Sequence, residues 1–180
     1  MLDSLEQREV RATFFVQGRW VKAYPETARR IAAGTHLVGS HSFYHARMSL
    51  FSAKGFDTDV RDAEGVIVDT LGIDPRPWFR LPFGNGSDLP ALHRRLGALG
   101  YENIHWHVSP AEWEVTATAR QVEDDVVAGA LARGDGAVVL LHTWPRAALA
   151  ALPGIVDRLR EAGAEFVRLD ELETWPSAEE

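Results

Sequence analysis

The chain has 180 residues, 46% hydrophobic and 25% charged, which is enough for one globular domain with a buried core. Its 19 Lys and Arg against 26 Asp and Glu leave a net charge of −7, which excludes a basic surface for nucleic acid or for an anionic membrane. There is no cysteine, so disulfides and thiolate zinc sites are excluded while the compartment stays open.

Acids are spread through the first ten residues, and no apolar run near them is long enough for a signal peptide. No segment approaches the roughly 18 apolar residues of a membrane helix. The chain as given therefore reads as soluble, and an export signal would have to precede Met1.

The first predicted element is a helix, LDSLEQRE, within residues 1–11. Six short runs rich in β-branched and aromatic residues are predicted strands: ATFFV (12–16), THLVGS (35–40), PWFRLP (77–82), ENIHWHV (102–108), AVVLLHT (137–143) and EFVRLDE (165–171). Helical segments alternate with them: YPETARRIAAG, DTDVRDAEGVIVDTLG, LPALHRRLGALG, ARQVEDDVVAGALARG and LPGIVDRLREAG. Most end on a glycine suited to a left-handed cap, and Pro25 and Pro153 fall near predicted helix starts. The alternation predicts parallel β/α units in one α/β domain over 1–180, with residues 173–180 expected to fray.

Four groups capable of chemistry stand at the carboxyl ends of four predicted strands, where α/β folds collect their sites. In GSHSFYH, His41 and His45 are four apart; on a helical turn both imidazoles would share one cation, and neutral imidazole suits zinc. In WFRLPFGNG, Arg80 enters a Pro and Gly turn that would present its guanidinium to a carboxylate or substrate oxygen. HWHVSPAEWE sets the carboxylate of Glu112 beside the aromatic face of Trp113, and VVLLHTW closes on His142, a candidate general acid or base. Taken singly, these read as surface histidines, an ion-paired arginine, a core tryptophan and a core histidine. Four such coincidences at successive strand ends are improbable.

The order HSFYH, RLPFG, WHVSPAEW and LLH, preceded by ATFFVQG, resembles the polysaccharide deacetylase family, carbohydrate esterase family 4, over about residues 2–172. The resemblance implies a distorted (β/α) barrel that removes acetyl groups from N-acetylated oligo- or polysaccharides such as chitin or peptidoglycan. It implies that His41 and His45 bind a divalent metal, usually zinc, and that Arg80 orients the catalytic base. Trp113 and Leu140 would line the pocket for the acetyl methyl, Pro82, Phe83 and Gly84 would contact substrate, and His142 would protonate the leaving amine. A family tendency towards secreted or cell-envelope settings comes with it.

The sequence also departs from the family pattern. The family's first strand, ending in an Asp pair that supplies the general base and a third metal ligand, precedes the first helix; here that helix begins at Leu2, and Asp3 matches a position within it. The expectation is a barrel lacking its first strand, a weakened metal site, and an ATFFV edge open to pairing with another chain. Ser109 and Glu112 stand where the family has Asp, with Glu112 expected to pair with His142, and Leu37 stands where an acid is common. His105 and His107, on one face of a predicted strand, are expected to be structural or groove-lining. Besides the deacetylase, two readings remain: a non-catalytic carbohydrate-binding or interaction module without the base, and an amidase for a small non-sugar amide.

Overall fold

The structure, a computed structural model, describes residues 1–173. The tail expected to fray lies, from residue 174 on, outside the described residues. The chain forms two compact units, residues 12–105 with 168–170, and residues 1–11 and 106–167 with 171–173. Each is built on its own apolar cluster.

The first unit is an α/β sandwich of helices and a parallel sheet, as the alternation predicts. Its strands are β1 (Thr13–Val16), β2 (Leu37–Ser40), β3 (Trp78–Phe79) and β4 (Glu102–Asn103), parallel and in the order β1-β2-β3-β4. This is an open four-stranded sheet, not a closed barrel, with β1 and β4 ending the order. The register pairs Phe15 with Gly39 and Ser40 with Phe79. Its helices are α2 (Gly18–Ala23), α3 (Pro25–Ala33), α4 (Ala53–Leu71) and α5 (Pro90–Ala98). Met48, Phe56, Val60, Phe79, Leu81, Leu96 and Tyr101 form the core.

The third and fourth predicted strands are cut short by a side chain. Arg80 Nε donates to Ile104 O (3.0 Å) and Nη2 to His105 O (3.1 Å), while Asn103 Oδ1 accepts the Leu81 N–H (3.0 Å). Side chains thus take the places that a longer ladder would need. Helix α2 was not expected, and α4 begins at Ala53, four residues before the predicted segment, because Ser52 caps it by accepting the Gly55 N–H.

The second unit contains α1 (Leu2–Gln7), α6 (Ala119–Arg133) and α7 (Arg146–Glu161). Val122, Val126, Val127 and Ala130 of α6 pack with Ala151, Ile155 and Leu159 of α7 and with Val108. Two expected elements change here. Residues 137–143 do not form a full strand: a single parallel bridge joins Val108 to Val139, because His107 Nδ1 accepts the Val138 N–H in place of a backbone carbonyl. Pro153 does not start a helix but lies inside α7, which begins after Pro145. The adjacent Gly154 leaves room for the Glu123 carboxylate of α6, whose Oε2 would stand 2.2 Å from an added Cβ.

The last predicted strand, 165–171, is likewise replaced, by irregular backbone and a 3₁₀ turn, Leu169–Glu171. Its Leu169 N–H donates to the Thr13 hydroxyl (3.1 Å), a side-chain partner where a strand would use backbone. No helix among the described residues is long and apolar enough to cross a membrane.

Close approach at Gly39 generates a stability prediction. An added Cβ would stand 2.8 Å from Phe15 Cε1 and 2.9 Å from Trp78 Cβ. Gly39→Ala should destabilise the protein by about 1–3 kcal/mol in urea unfolding. Gly65→Ala, on α4 with open space around it, should instead stabilise by roughly 0.5–1 kcal/mol.

Candidate functional site

The motif residues fall into two sets, one in each unit. In the first, β2 delivers the chain into a loop, not a helical turn: residues 41–47 are irregular, and Ser42 (φ 64°) and His45 (φ 56°) are left-handed. This corrects the expected helical spacing of the histidines. The loop still brings the rings together, at 4.8 Å between centroids, with the Phe83 ring 4.6 Å from His45.

Two elements hold this loop. The first two N–H groups of α2 donate to Ser42 O (3.0 Å) and Phe43 O (3.2 Å). From α4, the buried Asp59 accepts the Phe43 N–H (2.9 Å) and the Tyr44 N–H (3.0 Å), one on each carboxylate oxygen. Ser42 Oγ, itself buried, accepts the His45 N–H (2.8 Å). Burial pushes the Asp59 carboxyl above its ordinary range, against these hydrogen bonds. Asp59 was missed in the sequence, although a signal exists: it is the acid on the face of α4 that otherwise buries Phe56, Val60, Ala63 and Ile67.

His41 is oriented by the next motif. Its Nδ1 lies 2.7 Å from the Arg80 carbonyl, which can only accept, so Nδ1 carries the proton and Nε2 the lone pair. Arg80 is 7% exposed; its guanidinium binds the carbonyls of Ile104 and His105 and lies 4.3 Å from the Phe15 ring centroid. Burial lowers its pKa to about 9, which keeps it a cation at neutral pH. Beyond it, Pro82–Gly84 form a 3₁₀ turn with Pro82 buried and Phe83 exposed at φ 60° under the Arg47 guanidinium (5.2 Å). Asn85 Oδ1 ties this turn to Ser49, accepting its N–H (3.0 Å) and hydroxyl (2.7 Å).

The two histidines offer nitrogen donors suited to zinc or a similar cation. Among the described residues, no cluster of three or more His, Asp or Glu side chains surrounds such a position. The donor chemistry of this pair fits a divalent metal.

The second set is built around a buried carboxylate. Glu112 is 1% exposed, and its Oε1 accepts both the backbone N–H of His142 and, at 2.8 Å, its ring Nδ1–H. This is the pairing expected from the sequence. Burial pushes the Glu112 carboxyl up, but the His142 ring and backbone donors outweigh it and hold the group below its ordinary value. With Nδ1 donating, Nε2 is the nitrogen that can exchange a proton. Trp113, 41% exposed, meets the His142 ring edge-to-face at 5.3 Å. Leu140 is half-buried, its N–H donating to Val108 O (2.8 Å). Of the two extra histidines, His107 holds the Val138 N–H through Nδ1 (3.0 Å), a structural role; neither lies on a strand, because β4 ends at Asn103.

Residues 1–104 match the family described as polysaccharide deacetylase. The peptidoglycan-N-acetylglucosamine deacetylase of Bacillus cereus is 29% identical over 98% of this chain and 66% of that protein. A Listeria monocytogenes peptidoglycan-N-acetylglucosamine deacetylase is 32% identical over 96% of this chain and 35% of its own length, so the chain spans about two thirds or less of these curated relatives. Among solved structures, a Bacillus anthracis protein described as a CE4 family pseudoenzyme superposes with a TM-score of 0.87 at 26% identity, over 95% of this chain and 58% of that one.

Two predictions arise from these contacts. Asp59→Asn keeps the shape but can accept only one of the two N–H groups; the Phe43 and Tyr44 amides should lose protection from hydrogen exchange, with about 1–3 kcal/mol of stability lost. Glu112, held below the ordinary glutamate value of 4.5, contributes stability that is present above about pH 4.5 and is lost as pH falls through the lower folded pKa. Thermal unfolding of wild type and Glu112→Gln should therefore differ most at neutral pH and converge in acid.

Proposed function

The chain belongs to the polysaccharide deacetylase family, and on that premise we propose that it is a metal-dependent hydrolase removing N-acetyl groups from N-acetylated sugars. The observation that carries this reading is His41, whose Nδ1–H is committed to the Arg80 carbonyl so that the lone pair lies on Nε2, with the His45 ring 4.8 Å away. That tautomer is the one a metal-binding imidazole needs. We read residues 1–180 as a single domain of this kind, and peptidoglycan or chitin oligomers in an envelope or secreted setting as its substrates.

A divalent cation held by His41 and His45, zinc in the first instance, would supply Lewis-acid activation of the amide carbonyl and of water. The remaining steps belong to the chain's own groups. Amide hydrolysis adds water across the C–N bond, giving acetate and an amine, and the departing nitrogen needs a proton. His142 gives it from Nε2, while Glu112 receives the Nδ1–H bond and stabilises the imidazolium. Trp113 and Leu140 line the side of the acetyl methyl, Arg80 orients the His41 imidazole through its carbonyl, and Pro82, Phe83 and Gly84 contact the sugar.

A second reading, a non-catalytic sugar-binding module, is favoured by one observation: only two metal donors gather among the described residues. The likeness to a protein described as a pseudoenzyme is consistent with it. Acetate release from N-acetylglucosamine oligomers and from peptidoglycan, with zinc or cobalt added, separates the readings. We expect release that His41→Ala reduces by at least about a hundredfold, the scale of losing a metal ligand or its support. Oligomer binding without acetate release would establish the module instead, and release from simple amides alone would make the chain a small-molecule amidase.

A further inference from the structure

Trp144 has no part in the chemistry above, yet its placement is specific. Its side chain is exposed at 67%, on the irregular segment between His142 and α7. Its ring lies 6.3 Å from the His142 ring, tilted by 52°, while Trp113 meets the same imidazole from a perpendicular plane at 5.3 Å. The proton-donating histidine is thus flanked by two exposed indoles.

The backbone keeps Trp144 there. It precedes Pro145, which narrows its own conformations, and Pro145 is buried and serves as the N-cap of α7, its carbonyl accepting the Leu149 N–H (3.2 Å). The indole stands on a stiff anchor, so little conformational freedom is lost when a ligand covers it.

An exposed flat apolar face with one N–H at its edge is complementary to a pyranose ring. An N-acetylhexosamine in β-linkage presents axial C–H groups on its faces and polar hydroxyls around its rim, so one face stacks while the rim stays hydrated. The net charge of −7 over the chain disfavours a phosphate or an anionic headgroup as the occupant. We propose that Trp144 is a stacking platform for the sugar unit adjoining the one that His142 serves, so that this site selects N-acetylated oligosaccharides over monosaccharides. The proposal rests on the deacetylase reading.

The test is binding and turnover of N-acetylglucosamine and its tetramer by wild type, Trp144→Ala and Trp144→Phe. Binding is followed by titration calorimetry, which reads affinity whether or not acetate is released. Wild type should bind the tetramer at least about tenfold more tightly than the monomer. Trp144→Ala should lose about tenfold for the tetramer and with it the preference, while Trp144→Phe, which keeps a flat face, should retain most of both. Because the side chain is exposed, both variants should unfold at the wild-type temperature, which separates lost contact from lost fold. Unchanged tetramer affinity in Trp144→Ala, with wild type still preferring the tetramer, would overturn this inference alone. A wild type that binds neither sugar would overturn the deacetylase reading and this inference together.

Discussion

The buried guanidinium of Arg80 is the constraint on which the first unit depends. A cation removed from water must be surrounded by acceptors, and Arg80 finds them in the carbonyls of Ile104 and His105 and in the face of Phe15. Its own backbone continues the network: the N–H donates to Ser40 O and the carbonyl accepts from His41. One residue thereby joins β1, β2, β3 and the segment after β4, and fixes the tautomer of a candidate metal ligand. The sheet ends beside it, where the Leu81 N–H goes to Asn103 Oδ1 instead of a backbone carbonyl.

Around that point the backbone is held in conformations that most residues avoid. Ser42, His45, Phe83 and Ala111, each at positive φ, all lie in the motif loops; among the described residues the other such non-glycine residue is Glu9. Each costs on the order of 1–3 kcal/mol unless its surroundings enforce it. For the histidine loop the enforcement is visible in Asp59, Ser42 and the first turn of α2, and for the Pro82–Gly84 turn in Asn103 and Asn85. Stability spent there holds imidazoles and an exposed aromatic in fixed positions, which is what a preorganised site requires.

The second unit solves a related problem with a carboxylate. Glu112 is buried, and one of its oxygens takes both N–H groups of His142, so the imidazole is locked in orientation and tautomer by a single residue. A glutamate reaches this geometry despite the extra methylene relative to aspartate. The left-handed turn at Ala111, one residue earlier in the chain, is the local backbone feature that accompanies it.

Much of this was legible in the chain itself. The candidate residues His41, His45, Arg80, Glu112, Trp113 and His142 stand out because charged and aromatic groups interrupt apolar runs at strand ends, and the β/α rhythm follows from the period of those runs. The pairing of Glu112 with His142 was expected and is present. What the sequence could not specify was where backbone hydrogen bonds would go to side chains instead of backbone. That choice truncates β3 and β4 at Arg80, reduces residues 137–143 to one bridge at His107, and turns Leu169 towards Thr13, because each depends on partners tens of residues away. The same long-range logic hides Asp59, whose role is set by a loop 15 residues earlier. Local pattern determines which residues carry the chemistry; only tertiary packing decides which of their neighbours hold them in place, since a buried polar group takes whichever partner the fold brings within reach.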